Sequence, residues 1–177
     1  MKQELRNTLN QERELYIPHI KSLKNKIMAK YTHNEEYEIY RFIVALRKAE
    51  FHQNNKLLFA YYYRKSNILG ERLGYFIAPG VLGKKARIYH RGDIIINSQS
   101  KIGEGCIFHG DNCVGNNGID NNCPVLGKRV ELGIGAKVIG GVTLADDVKI
   151  GANAVVTKSF TEPGITIAGV PAKIIKG

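Results

Sequence analysis

Large apolar residues return every six positions through most of the second half of the chain: Ile96, Ile102, Phe108, Val114, then Leu126, Leu132, Val138, Leu144, Ile150 and Val156. An α-helix repeats at about 3.6 residues and a strand at about 2, so neither keeps such a column in phase for long. A six-residue period marks a parallel β-helix, in which each hexad supplies one short strand and a turn and the large residues stack inside. Only Asp120 breaks the column, within a polar stretch from Gly115 to Pro124 that reads as a loop. The phase survives that loop, because Val114 and Leu126 are two hexads apart. Four places after the guide residues stand Ser100, Cys106, Val130, Ala136, Val142, Val148 and Ala154, small or β-branched side chains suited to a narrow interior corner.

Glycine divides the chain. Of 19 glycines, only Gly70 and Gly74 precede residue 75. Residues 1–74 instead place apolar residues at three- and four-residue spacing, as in Tyr40, Ile43, Val44, Arg47 and Phe51, which predicts several helices. Pro18 is expected to start one, Thr32 or Asn34 to cap another ahead of Glu35 and Glu36, and Asn67 to Gly74 to fray. The expected fold is therefore mainly β: a parallel β-helix over 75–177 with an N-terminal α-helical segment over 1–74.

With 177 residues, the chain suits one domain with a modest second segment. The longest uncharged apolar run, Leu57 to Tyr63, falls well short of the ~20 residues a membrane span needs. Neither a span nor a signal peptide is expected. Three cysteines, Cys106, Cys113 and Cys123, are an odd number, and the chain reads as cytoplasmic with reduced thiols. The charge balance is 26 basic against 16 acidic residues, a formal +10. That calls for an anionic partner, and nucleic acid, a membrane surface or a phosphorylated co-substrate would each satisfy it.

Three further stretches choose among these: Ile102-Gly103-Glu104-Gly105, Ile150 to Lys158 and Ala168-Gly169-Val170-Pro171-Ala172-Lys173. Together with the hexads they make the chain resemble a hexapeptide-repeat acyltransferase. More narrowly, His90-Arg91-Gly92-Asp93-Ile94-Ile95-Ile96-Asn97, then Lys101-Ile102-Gly103 and Gly115-Asn116-Asn117-Gly118, resemble serine acetyltransferases and the related enzymes that O-acetylate bacterial surface polysaccharides. The resemblance implies a left-handed coil, a homotrimer, and acetyl-coenzyme A as the donor, with no metal.

On that resemblance His90 is the general base. Counted in sixes it falls on a guide position that should be apolar, and acetyl transfer supplies a reason for an imidazole there, since an alcohol needs its proton removed as it attacks. A core histidine satisfied by a carbonyl is the alternative. His109, nineteen residues on, should lie one coil further along, close enough to touch acceptor or coenzyme; an ordinary surface histidine is equally open. Zinc in the manner of β-helical carbonic anhydrases would need three histidine ligands, and 75–177 holds two. The serine enzymes orient their base with an aspartate fifteen positions earlier, where this chain has Tyr75, and their second site histidine matches Cys123 before Pro124. Asp93 or Asp111 could orient His90 instead, although aspartates in glycine-rich turns are usually turn formers. Tyr75, Asp111 and Asn116 are the candidate acceptor contacts.

By the same resemblance, the pantetheine arm of the coenzyme would lie near Gly133, Gly135, Ala136, Gly151 and Ala154, in a groove between adjacent solenoids. Thr157, Lys158, Lys173 and Lys176 would meet the nucleotide and its phosphates. The two departures tilt the expected acceptor toward a sugar hydroxyl of a surface polysaccharide or its precursor, with serine as the alternative and a non-catalytic β-helical scaffold as the rival of another class. No nucleic-acid partner is expected. Tyr61, Tyr62 and Tyr63 beside Arg64 and Lys65 suggest weak peripheral membrane association, or else core and helix–helix contact.

Overall fold

Fifteen guide residues stack in three rows of five. Ile77, Ile96, Val114, Val138 and Val156 form the first row; Leu82, Ile102, Leu126, Leu144 and Phe160 the second; Ile88, Phe108, Leu132, Ile150 and Ile167 the third. None is more than 7% exposed. Their neighbours in each strand point outward, as period-two pleating requires. Removing such a side chain from water contributes about 1.5–3 kcal/mol each. This computed structural model describes residues 2–176, so Met1 and Gly177 lie outside the described residues.

The rows belong to three sheets. The first runs in the order β1 (Tyr75–Ile77), β3 (Ile94–Ile96), β6 (Asn112–Gly115), β9 (Lys137–Ile139) and β12 (Val155–Val156). In the second, β7 (Val125–Leu126) lies between β4 (Lys101–Ile102) and β10 (Thr143–Leu144). The third holds β2 (Arg87–Ile88), β5 (Ile107–Phe108), β8 (Glu131–Leu132), β11 (Lys149–Ile150), β13 (Thr166–Gly169) and β14 (Ala172–Lys176), and only β13 with β14 is antiparallel. The chain visits the sheets in rotation, so each coil is a triangle.

One part of the sixfold count fails. Partner residues in successive coils are eighteen apart from Ile96 to Val114, but twenty apart from Ile88 to Phe108. Two extra residues therefore sit between β2 and β3, and the interior position of that coil is Ile88, not His90. The second excess is the loop 115–124, which lengthens its coil to twenty-four residues and leaves the phase intact. There Asn117 Oδ1 accepts from the amides of Ile119 and Asp120, and Asp120 Oδ1 from Asn122.

Coil-to-coil approach also dictates residue type. At Gly83 and Gly103 an added Cβ would run into the backbone of the next coil, and at Gly127 into Ala145 and Asp146. These three form one corner column, where only a residue without a side chain lets the strands close up.

The helical segment forms its own compact unit over residues 1–74, and the coil another over 75–177. It contains α1 (Lys2–Tyr16), α2 (Leu23–Tyr31), α3 (Glu35–Phe51) and α4 (Lys56–Leu73). Ser22, Asn34 and Asn55 cap α2, α3 and α4 by accepting amide hydrogen bonds three residues on. Pro18 does not start a helix; it lies in the turn after α1, and the hydroxyl of Ser22 sets the start of α2. Nor does the stretch from Asn67 fray. Ser66, Leu69, Gly70 and Leu73 are buried, α4 continues to Leu73, and Gly74 ends it in the left-handed conformation, φ 82°. Arg47, counted among the apolar positions, is buried and donates to Glu12 of α1 at 2.9 Å. An unpaired charge could not be held there.

Candidate active site

The two-residue insertion swings His90 out of the coil. His90 is exposed, in the turn between β2 and β3. Counting sixes backward from Ile96 misassigned this residue to an interior place because the insertion is invisible to a constant period. Tyr75 lies buried beneath the turn in β1, and its hydroxyl donates to the carbonyl of His90 at 2.8 Å. Tyr75 is 5% exposed and its hydroxyl is committed to that carbonyl, so it offers little surface to the acceptor it was expected to contact.

Along the third sheet the residues directly after the guides align from coil to coil: Tyr89, His109, Gly133, Gly151 and Ala168. Tyr89 stacks on His109 with ring centroids 5.0 Å apart. His109 Nε2 lies 2.9 Å from Glu131 Oε1, and Lys149 Nζ is 4.0 Å from the other oxygen of that carboxylate. His109 therefore does lie one coil past His90, but its stacking partner is Tyr89. The coil under His90 is Gly110, φ 120°, where an added Cβ would come within 3.9 Å of His90 Cβ. This column starts bulky and continues as glycine, where an added Cβ would meet the backbone of the next coil at Gly133 and the Cβ of Ala168 at Gly151.

Asn112, which the sequence reading passed over, braces this corner from inside. Its amide nitrogen donates to the carbonyls of Gly133 at 2.8 Å and Ala136 at 3.3 Å, and its oxygen accepts from Gly110 at 3.1 Å. Asn112 occupies the small-residue column, and a polar residue in that column was the signal available in the sequence. Asp111 adopts φ 52°, aligned with the left-handed turn residues Gly135 and Asn153, and its carboxylate is 3.2 Å from Lys137 Nζ. It is a turn residue paired with Lys137, and its carboxylate stays largely exposed. Asn116 donates to the carbonyl of Asp120 and braces the 115–124 loop. Asp93 is exposed just before β3.

The residues expected around the coenzyme separate. Ala136 and Ala154 are completely buried in the interior corner column, so neither offers surface to a ligand. Gly133 and Gly151 stay at the surface of the corner between the third and first sheets, and Lys173 and Lys176 are exposed on β14 of the third sheet. Gly135 lies at the same corner, but buried. Thr157 and Lys158 follow β12 of the first sheet at a different corner. Cys106 is no nucleophile: burial pushes its thiol up to about 11, and it donates to the carbonyl of Gly127 at 3.2 Å. Cys113 and Cys123 are partly exposed free thiols.

Residues 123–158 match the family model described as bacterial transferase hexapeptide, six repeats. A serine acetyltransferase of Helicobacter pylori is 36% identical over 132 residues, covering 64% of this chain and 77% of the relative. The chain belongs to the serine acetyltransferase family. A serine acetyltransferase of Mycobacterium tuberculosis is 36% identical over 105 residues, but the match spans 58% of this chain and 45% of that relative. The solved serine acetyltransferase of Brucella abortus superposes with a TM-score of 0.72 at 22% identity, over 98% of this chain and 69% of the other. The fold is accordingly the left-handed parallel β-helix of hexapeptide-repeat acyltransferases, with helices ahead of it.

These relatives correct the expected acceptor. The tilt toward a polysaccharide hydroxyl rested on Tyr75 and Cys123 replacing site groups of the serine enzymes, yet the curated relatives are serine acetyltransferases. Tyr75 also explains physically why its replacement carries less weight than it first did. Its hydroxyl still bonds to the turn that carries His90, through the backbone carbonyl.

Proposed function

We propose that this chain transfers the acetyl group of acetyl-coenzyme A to the hydroxyl of serine. Membership of the serine acetyltransferase family, through a relative covered over 77% of its length, is the observation that carries the reading. The exposed ring of His90 on a turn braced by Tyr75 supports its role as base.

In the proposed reaction the serine oxygen attacks the thioester carbonyl as His90 takes the hydroxyl proton. The tetrahedral intermediate places its oxyanion against a backbone amide. Carbon–sulfur cleavage then expels coenzyme A, whose sulfur receives the proton from the His90 imidazolium, leaving O-acetylserine. His109, held by Glu131 and stacked on Tyr89, would border the acceptor, and Asp93 the approach to His90. The surface glycines Gly133 and Gly151 would let the pantetheine arm lie close. Lys173 and Lys176 would reach phosphate from the same side of the coil, and Thr157 and Lys158 from a second chain of a homotrimer; the three free thiols favour a cytoplasmic location.

The test is thiol release from acetyl-coenzyme A by the pure protein with L-serine, against glycine as a hydroxyl-free control. Turnover requiring the hydroxyl, with O-acetylserine as product, supports the reading. Serine-independent release, or none, contradicts it.

A further inference from the structure

Helix α2 carries its apolar side chains on the wrong side for a core. At about 100° per residue, Leu23, Ile27 and Tyr31 form a stripe opposite Asn25 and Ala29. Ala29 is the buried residue of this helix, while the stripe is 73%, 61% and 80% exposed. Lys24 flanks the stripe on one side, Lys26 and Lys30 on the other, and Lys21 precedes the helix. No carboxylate occurs between Glu14 and Glu35. The acidic residues that open α3 are engaged locally: Glu36 lies 3.6 Å from His19 and Glu38 is bidentate with Arg41.

We propose that α2 docks this protein on an anionic lipid surface. An apolar stripe straddled by lysines is the arrangement that lets a helix lie in the headgroup layer, side chains inserted and ammonium groups at phosphate level. A second copy of the chain is a poor occupant, because pairing two such faces would bring lysines against lysines. Size argues the same way. A nine-residue helix is about 13 Å long and about 10 Å across, well below the roughly 800 Å² per partner of a stable protein interface. A lipid surface needs no such area from a rigid patch.

The test is sedimentation of the full chain with vesicles of mixed phosphatidylglycerol and phosphatidylcholine, against phosphatidylcholine alone, at low and high salt. Binding is expected only to the anionic vesicles and to fall with salt. Replacing K24Q, K26Q and K30Q together should weaken it by about fivefold per lysine, about a hundredfold in all. L23Q with I27Q should also release the protein, with helix content unchanged by circular dichroism. The chain has no tryptophan, so Y31W provides a single reporter whose emission should shift to the blue on the anionic vesicles. Equal binding to neutral vesicles, no binding at low salt, or variants that bind as the wild type would overturn the proposal. So would a concentration-dependent dimer abolished by L23Q with I27Q, which would assign the stripe to a second copy.

Discussion

At the scale of single residues, the site is defined less by the groups that face solvent than by those that hold the backbone under them. Asn112 satisfies three backbone groups beside the histidines. Replacing it with alanine leaves buried donors and acceptors unpaired, at about 1–3 kcal/mol. We expect Asn112→Ala to lower the unfolding free energy by that amount and to reduce kcat more than the KM for either substrate, because the turn carrying Gly110 under His90 loosens. Denaturant unfolding and steady-state kinetics check this. Cys106 gives a second residue-level expectation. Its thiol is pushed up to about 11 by burial, so iodoacetamide at neutral pH should alkylate Cys113 and Cys123 in the native protein and Cys106 only after denaturation. Peptide mass mapping decides; early labelling of Cys106 would show that the corner opens.

At the scale of elements, the hexad period was legible because a large apolar residue is needed wherever a strand faces the triangular interior. The insertion between Ile88 and Ile96 was not, because a constant count cannot register two added residues at a surface turn. That is why His90 was placed inside. Helix caps were partly legible: Asn34 follows the rule, whereas Pro18 misled because a proline suits a turn as well as a first helical position. Ion pairs between coils left no period to read. Arg129 holds Asp147 through two hydrogen bonds of 2.6 Å and keeps that carboxyl below its ordinary value of 3.8. A depressed carboxyl contributes stability present above the unfolded value and lost as pH falls through the folded one. The stability gap between wild type and Asp147→Asn should therefore be small at neutral pH, as for any exposed pair, and shrink as pH falls below the ordinary value of 3.8 and through the depressed one. A gap that grows in acid would contradict this.

At the scale of the whole molecule, the sequence resemblance led to the right family and the wrong acceptor. The hexads and the His90 motif carried the family, the hexads because the coil's interior calls for a large apolar residue at each turn. The acceptor reading leaned on two replaced side chains, and one of them, Tyr75, still bonds to the turn of His90 through the backbone. The coenzyme residues were only partly legible, because alanine in a hexad serves the buried corner as readily as a surface groove. Ala136 and Ala154 did the former. The central claim is that an imidazole on a turn braced from below removes the proton of an incoming hydroxyl. Its most direct measurement is the rate of O-acetylserine formation by wild type and His90→Asn under saturating acetyl-coenzyme A and serine. Loss of a general base predicts a fall in kcat of about 10²- to 10⁴-fold with the KM for acetyl-coenzyme A little changed, whereas a variant that keeps the wild-type rate would contradict the account.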